Sequence, residues 1–321
     1  MKRFPFLVAT ALLAVIATSA QTNSAPPQTA PGTSPQTPSS PAAATNSQAV
    51  PPNGNHRVLQ AKSQEELKAY QDASTLTDAA QEEAAANAFS AKFPTSELRA
   101  SLYMRAMNLY GQANNSEKVV TTGRQAIAAD PTNPVPLVQV ASALAESTRD
   151  TDLDREQRLA ESMKDAQAAI DNIDTGLLVP PNADPARVEA AKRSILTMAY
   201  DTMGMVNLDR SDYAAAASNL QKALDESKDN PEAVLYLRLS VAQDKLQQLP
   251  QALDSANKAV QYAQPGSAAE NLAKQQQARL QKLTSAGAPS GSNAAPAAAT
   301  PPNPAAPASP TPAPTTPNTP H

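Results

Sequence analysis

The sequence predicts an all-α protein: an α-solenoid of about five helical hairpins plus a C-terminal capping helix, flanked by disordered tails. The first observation is a recurrence. Tyr200-x2-Met203-Gly204, then Ala216-x3-Leu220-x2-Ala223, returns 36 residues later as Tyr236-x2-Leu239-Ser240, then Ala252-x3-Ala256-x2-Ala259. A fixed shift of this size marks stacked supersecondary units, each unable to bury its apolar face alone. The second is a 34-residue shift that carries Tyr103, Ala106, Met107 and Tyr110 onto Leu137, Val140, Ala141 and Leu144. The third is the distribution of proline and charge. Of 30 prolines, eight fall in residues 21–55 and eleven in residues 285–321, while all 30 acidic residues lie between Glu65 and Glu270. The folded part is therefore residues 63–283, long enough for a sizeable elongated core. No run alternates with β-branched residues, so no sheet is expected.

In chain order, residues 1–20 (MKRFPFLVATALLAVIATSA) read as a signal peptide. Lys2 and Arg3 form the charged start, Phe6 to Ala17 the apolar run, and Thr18-Ser19-Ala20 the small residues before a cut at Gln21. The run is well short of the ~20 residues a bilayer span needs. The expected location is therefore exported, either periplasmic or secreted. Residues 21–62 form a Pro/Ser/Thr/Ala-rich linker and residues 284–321 a Pro/Ala/Thr-rich tail. Neither holds enough apolar surface to offset chain entropy, so both are expected to be disordered and locally extended.

Between the tails, hairpins are placed by spacing and punctuation. Ser63-x-x-Glu66 and Ser267-x-x-Glu270 have capping-box spacing. Asp184-Pro185 and Asn230-Pro231 put a cap before a proline at the first helical position. The first pair is predicted at 64–73 and 78–92, and the second within 97–130, where Val119, Gly123 and Ala126 lie on the second helix. The third pair leaves the period: Thr148–Asp154 and a long second helix near 155–173 add residues. An irregular loop, Thr175–Ala183, leads to a long helix over 185–209, then 212–228. The fifth pair is 231–247 and 250–263. Residues 267–283, rich in Lys and Gln, suit a solubilising cap on the open end of a stack.

Chemistry is sparse. There is no Cys, and the only histidines, His56 and His321, lie in the tails. The commonest zinc and nucleophile constellations are thereby removed, as are disulfides. No phosphate-cradling glycine loop occurs. Asp150-x-Asp152-x-Asp154 is spaced for calcium but lacks the glycine and distal Glu of an EF-hand loop, so Asp154 is read as a helix cap. Glu82-Glu83 is read as a solvated helix face. The expectation is no enzyme, no cofactor and no metal. The net charge of −4 argues against nucleic acid and anionic lipid as partners.

The stretch AYDTMGMVNLDRSDYAAAASNLQKAL (Ala199–Leu224) resembles the tetratricopeptide repeat (TPR) family. It has an aromatic, a large apolar residue and Gly204 on one helix, with Ala216, Leu220 and Ala223 on the next. The second pair matches less fully: Met107 stands where Gly is usual and Gly123 where a large apolar residue is usual. Ala91–Gly111 also looks like repeats of bacterial envelope-assembly proteins. The resemblance implies a TPR-like α-solenoid over residues 63–283, whose first helices line a concave surface that binds a peptide or protein segment. Residues turned away from the packed stripe of those helices are the candidate binding set. They are Met104, Arg105 and Asn108 in the second pair, Asp201, Thr202 and Met205 in the fourth, and Leu237, Arg238 and Val241 in the fifth. Arg105 and Arg238 are the only cations among them and are expected to meet carboxylates. The implied function is a non-enzymatic scaffold or adaptor of the bacterial cell envelope with a protein or peptide partner and no stable membrane span in the mature form. The alternative is an accessory subunit or carboxylate-based enzyme acting on envelope polymers.

Overall fold

A computed structural model describes residues 59–180 and 182–287. The signal peptide, most of the linker, the tail beyond 287, Pro181, His56 and His321 lie outside the described residues. Those described form an α-solenoid of eleven helices with no strand among them. The first pair is α1 (Gln64–Ser74) and α2 (Ala79–Lys92). The second is α3 (Leu98–Gln112) and α4 (Ser116–Ala129). The third is α5 (Pro134–Ser147) and α6 (Arg155–Asp171). The fourth is α7 (Pro185–Asp209) and α8 (Tyr213–Glu226). The fifth is α9 (Ala233–Lys245) and α10 (Leu249–Tyr262), and α11 (Ala268–Gly287) follows.

Three of the hairpins turn in the same way. Asn114, Ser211 and Gln247 sit at φ of 56°, 61° and 60°. In each turn the next amide reaches back five residues: Asn115 N–H to the Tyr110 carbonyl, Asp212 to Asn207, and Gln248 to Gln243, at 2.8–2.9 Å. The amide of the left-handed residue itself bonds the carbonyl three residues back. This is the Schellman closure, which satisfies the orphan carbonyls of the first helix. Asn115 and Asp212 then cap the following helix through their side chains. The longer third connection has no such left-handed residue.

The second helix crosses the first at a contact whose two residues stand 16 apart in sequence. In the fourth pair it is Gly204 against Leu220: a Cβ built on Gly204 would lie 2.7 Å from Leu220 Cγ. In the second pair it is Met107 against Gly123, where the same construction meets Met107 Sδ at 2.9 Å and Val140 Cγ2 at 2.3 Å. In the fifth the corresponding residues are Ser240 and Ala256, both fully buried, and the Ser240 hydroxyl donates to the Ala252 carbonyl at 2.7 Å. The second pair therefore exchanges large and small across the junction, and its two departures from the repeat pattern compensate one another.

The core is a string of clusters at successive junctions. The largest draws on α5, α6 and α7, and includes Leu137, Ala166, Ile195 and Ala199. The loop between α6 and α7 is irregular, as expected, but it is not a surface loop: Leu177 and Val179 are buried in the same cluster. Burying such apolar surface contributes about 25 cal/mol per Å². At the C-terminal end, α11 covers α10 and α9 with Ala273 and Leu280 and continues past the expected residue 283 to Gly287.

Several local expectations are corrected. Ser63 and Ser267 cap α1 and α11 as predicted, but Glu66 and Glu270 reach back to the amides of Lys62 and Gly266, one residue before the cap. Asn230 caps nothing: α9 begins at Ala233, with Glu232 at the cap position making no side-chain bond, because the chain stays extended through Glu232. Asp154 holds the cap position of α6 without a side-chain bond, and Asp152 instead accepts the Arg149 amide at 2.8 Å. Glu82-Glu83 is not a solvated face. Glu82 is fully buried, and Glu83 accepts from the Tyr110 hydroxyl at 2.6 Å and pairs with Lys118 at 2.9 Å, tying α2 to α3 and α4.

Candidate functional site

The odd-numbered helices form a row. Beyond its own partner, α1 packs on α3, α5 on α7, α7 on α9, and α9 on α11; the even-numbered helices show no comparable packing with each other. Rods that touch along one side and splay along the other coil towards the touching side. The contacts run from α1 to α3 and from α5 through α7 and α9 to α11, and the predicted candidates lie on these odd-numbered helices.

Their accessibility differs. Asn108 is exposed, and Met104, Asp201, Met205, Leu237 and Val241 are half-buried. Met104 receives an amide contact from Asn133 at 3.7 Å on its sulfur. Met205 packs partly against Ala145, Leu159 and Val206. Thr202 is the exception: it is completely buried, and its hydroxyl has no hydrogen-bond partner in the structure. A ligand on the inner face does not reach it, because its position turns into the packing of α7 rather than away from it.

Neither arginine presents a free guanidinium. Arg105 donates through Nε to Glu82 Oε1 and through a terminal nitrogen to the Leu76 carbonyl, both at 3.2 Å. Burial pushes the Glu82 carboxyl above the usual range, and the Arg105 charge opposes that rise. Arg238 is paired with Asp201. The spacing that put both cations on the inner face also put acids within their reach on neighbouring helices.

Two acids absent from the candidate set complete the surroundings of Arg238. Glu146 on α5 and Glu232 at the start of α9 both titrate above the ordinary carboxylate range. Burial is the main cause for each, Asp201 adds to it, and Arg238 opposes it. Both nevertheless keep a solvent-exposed surface. Asp201 pairs with Arg238, and Glu146 and Glu232 are near enough to both for their charges to act on them. Glu146 was legible in principle: it lies one turn beyond Ser142, which the 34-residue shift makes the counterpart of Asn108.

Other ionisable groups serve packing. Asp165 on α6 is buried, and its pKa is raised to about 6, by burial first and then by Glu161, with Lys164 and Arg124 opposing. A raised folded-state pKa means that this group's share of stability is intact below its unfolded value near 3.8 and is lost as pH climbs through about 6. Asp165→Asn is expected to be more stable than the parent at pH 7, by up to about 2–3 kcal/mol. It should lose that advantage at pH 4. Urea unfolding at both pH values checks it; an equal advantage at pH 4 would show that ionisation is not the cause.

Asp150, Asp152 and Asp154 do not converge: Asp150 pairs with Arg155 at 3.5 Å, and Asp152 turns to the Arg149 amide. No group of three or more His, Cys, Asp or Glu among the described residues is placed to hold a metal ion. Two surface hollows stand out. One of about 330 Å³ lies between α1 and α2, with Phe89 and Phe93 in its wall. The other, of about 410 Å³, lies between α8 and α10 over Tyr236. Each has a single acid in its lining, Asp72 and Asp254 respectively. No helix among the described residues is long and apolar enough to cross a membrane.

No family model matches this chain. No curated protein matches it either. Among solved structures, it is similar to MamA (residues 41 to the end) from Desulfovibrio magneticus RS-1, at 17% identity and a TM-score of 0.38, covering 59% of this chain and 97% of that one. It is also similar to an assembly chaperone of RpL4 (Acl4, residues 1–338), at 10% identity and a TM-score of 0.36, covering 69% and 98%. At these scores the likeness carries no functional argument. The solenoid stands on its own repeated turns and junctions.

Proposed function

We propose that this chain is an exported, non-enzymatic adaptor of the bacterial cell envelope, holding a protein or peptide segment along the inner face of a TPR-like solenoid. The observation that carries the reading is the set of candidates left accessible on the first helices of three pairs, half-buried Met104, Met205, Leu237 and Val241 with polar Asn108 and Asp201. Such a surface offers apolar anchors and polar register over several helices. The acids around Arg238 favour a segment carrying Lys or Arg rather than the acidic segment that free arginines would select. The enzyme alternative needs two or more buried acids sharing a deep pocket, and neither hollow supplies that.

Photo-crosslinking residues at Asn108 and Val241, with Lys164 on α6 as an outer-face control, test the reading in an exporting bacterial host. Adducts are expected from the two inner positions, on protein whose intact mass begins at Gln21. Glu146→Gln with Glu232→Gln is expected to reduce them several-fold. Adducts from Lys164 alone, or protein retaining Met1, would count against the proposal.

A further inference from the structure

The first pair packs differently from the others. The residues 34 before Met107 and Gly123 are Ala73 and Phe89, the counterparts of a crossing contact. Both instead line the hollow of about 330 Å³, together with Ala69, Ala85 and Phe93. Here the backbones of α1 and α2 approach far less than those of any other pair, and α1 approaches α3 as sparsely. The charged residues of the wall are already engaged. Asp72 pairs with Lys68 at 2.7 Å and Lys92 with Glu65 at 2.7 Å, and Lys92 also lies over the Phe93 ring. The Lys92–Glu65 pair ties α2 to α1, but both side chains are more than half exposed, so it holds little. Glu66, in the first turn of α1, is buried, and its Oε1 has no hydrogen-bond partner in the structure. Closure of α1 therefore carries a cost that opening relieves. The α1–α2 turn also lacks the left-handed residue that closes three of the other pairs.

What α1 covers is an apolar groove. Tyr70 and Ala73 are its buried apolar residues. They complete a cluster that includes Phe89 of α2 and Leu98 and Leu102 of α3. Tyr70 meets Phe89 edge-on at 6.4 Å between centroids, and its hydroxyl lies 3.1 Å from Ser101 Oγ. A short amphipathic helix seated by an aromatic anchor is how an apolar groove takes a foreign helix. With 11 residues, α1 is too short to stand as a helix alone in water, so its release is also its melting. We infer that α1 is a built-in occupant of the α2–α3 groove, which opens as a unit and gives way to an amphipathic helix of a protein partner.

The groove defines the chemistry of that helix. It carries an aromatic residue in the place of Tyr70. One turn later, where Ala73 leaves the hollow unfilled, it carries a large aliphatic residue, which gains the contacts that α1 forgoes. An acid five residues before the aromatic keeps Lys92 paired, as Glu65 does. Tethering gives α1 the advantage of a high effective concentration. An untethered helix must therefore fit better than α1 does, and filling the hollow supplies the difference. The inference rests on the protein-binding role proposed above and names one class of segment for it.

Native-state amide exchange on the full chain tests the opening. Amides of residues 67–74 in α1 should exchange about tenfold faster than those of residues 83–91 in α2. Ala73→Leu, with Ala69→Leu as a second filler of the same hollow, should slow them several-fold, and Tyr70→Ala should speed them several-fold. Exchange in α3 to α10 should stay unchanged throughout. A synthetic peptide of residues 62–75 carrying Ala73→Leu then stands in for the partner helix. It should bind the Tyr70→Ala chain several-fold more tightly than the Ala73→Leu chain. None of these readouts uses Asn108 or Val241, so failure here is distinct from failure of the inner-face crosslinks. Exchange of α1 in step with α2, two fillers that both leave it unchanged, or variants that move every helix alike would make α1 an integral part of the stack and overturn the proposal. A peptide that binds both chains alike, or neither, overturns replacement by a partner.

Discussion

Gly204→Leu is expected to cost about 3 kcal/mol or more, at or above the upper end of the overpacking range. The new Cβ alone would stand 2.7 and 2.8 Å from Leu220 Cγ and Cδ2. Leu220 is completely buried in the cluster that joins α8 to α9, so it cannot swing aside without opening that junction. The loss should centre on the fourth hairpin, visible as faster amide exchange in α7 and α8 than in α3 and α4. The second hairpin supplies its own control by placing the large residue on the other side. Gly204→Met combined with Leu220→Gly copies the Met107/Gly123 arrangement and should recover part of the loss, less about 1 kcal/mol for glycine within a helix. A double-mutant cycle in urea gives the coupling directly. Strict additivity would mean that the two junctions are not equivalent.

Arg105→Glu is expected to destabilise the fold by about 2–4 kcal/mol, somewhat below the figure for a fully buried pair because the Arg105 side chain is 39% exposed. Glu82 keeps no accessible surface, and one of its oxygens already lacks a partner. Removing the guanidinium leaves that carboxylate buried and uncompensated, and the new Glu adds repulsion. The Leu76 carbonyl also loses a donor. The Glu82 pKa is raised even with Arg105 present. In the variant it should rise further, and protonation should restore stability as pH falls through it. Thermal unfolding from pH 7 down to 4 therefore separates electrostatics from lost packing. A variant as stable as the parent at pH 7 would remove Arg105 from the structural role assigned here. Charge reversal at this position thus probes the fold before it probes partner capture, the opposite of what the free cation expected from sequence would give.

The sequence by itself determined the helical class, the number of hairpins and most helix boundaries. Those features follow from local chemistry: periodic Ala and Leu, Ser and Asp caps, and a shift of 34 or 36 residues. Tertiary structure decided the rest. The shared left-handed turns went unread because their residues are Asn114, Ser211 and Gln247 rather than glycine. Met107 and Gly123 looked like two separate lapses from a pattern, and only the crossing of α3 and α4 makes them one compensated contact. Leu177 and Val179 sit in a segment with no periodicity, so nothing local announced their burial. The charges diverged most from expectation. A helix register shows which way an arginine points, but not what stands opposite it. Glu82 and Asp201 lie 23 and 37 residues before the arginines they meet. Those pairings depend on how one helix is laid against another, and that geometry turned two predicted ligand-binding cations into parts of the scaffold.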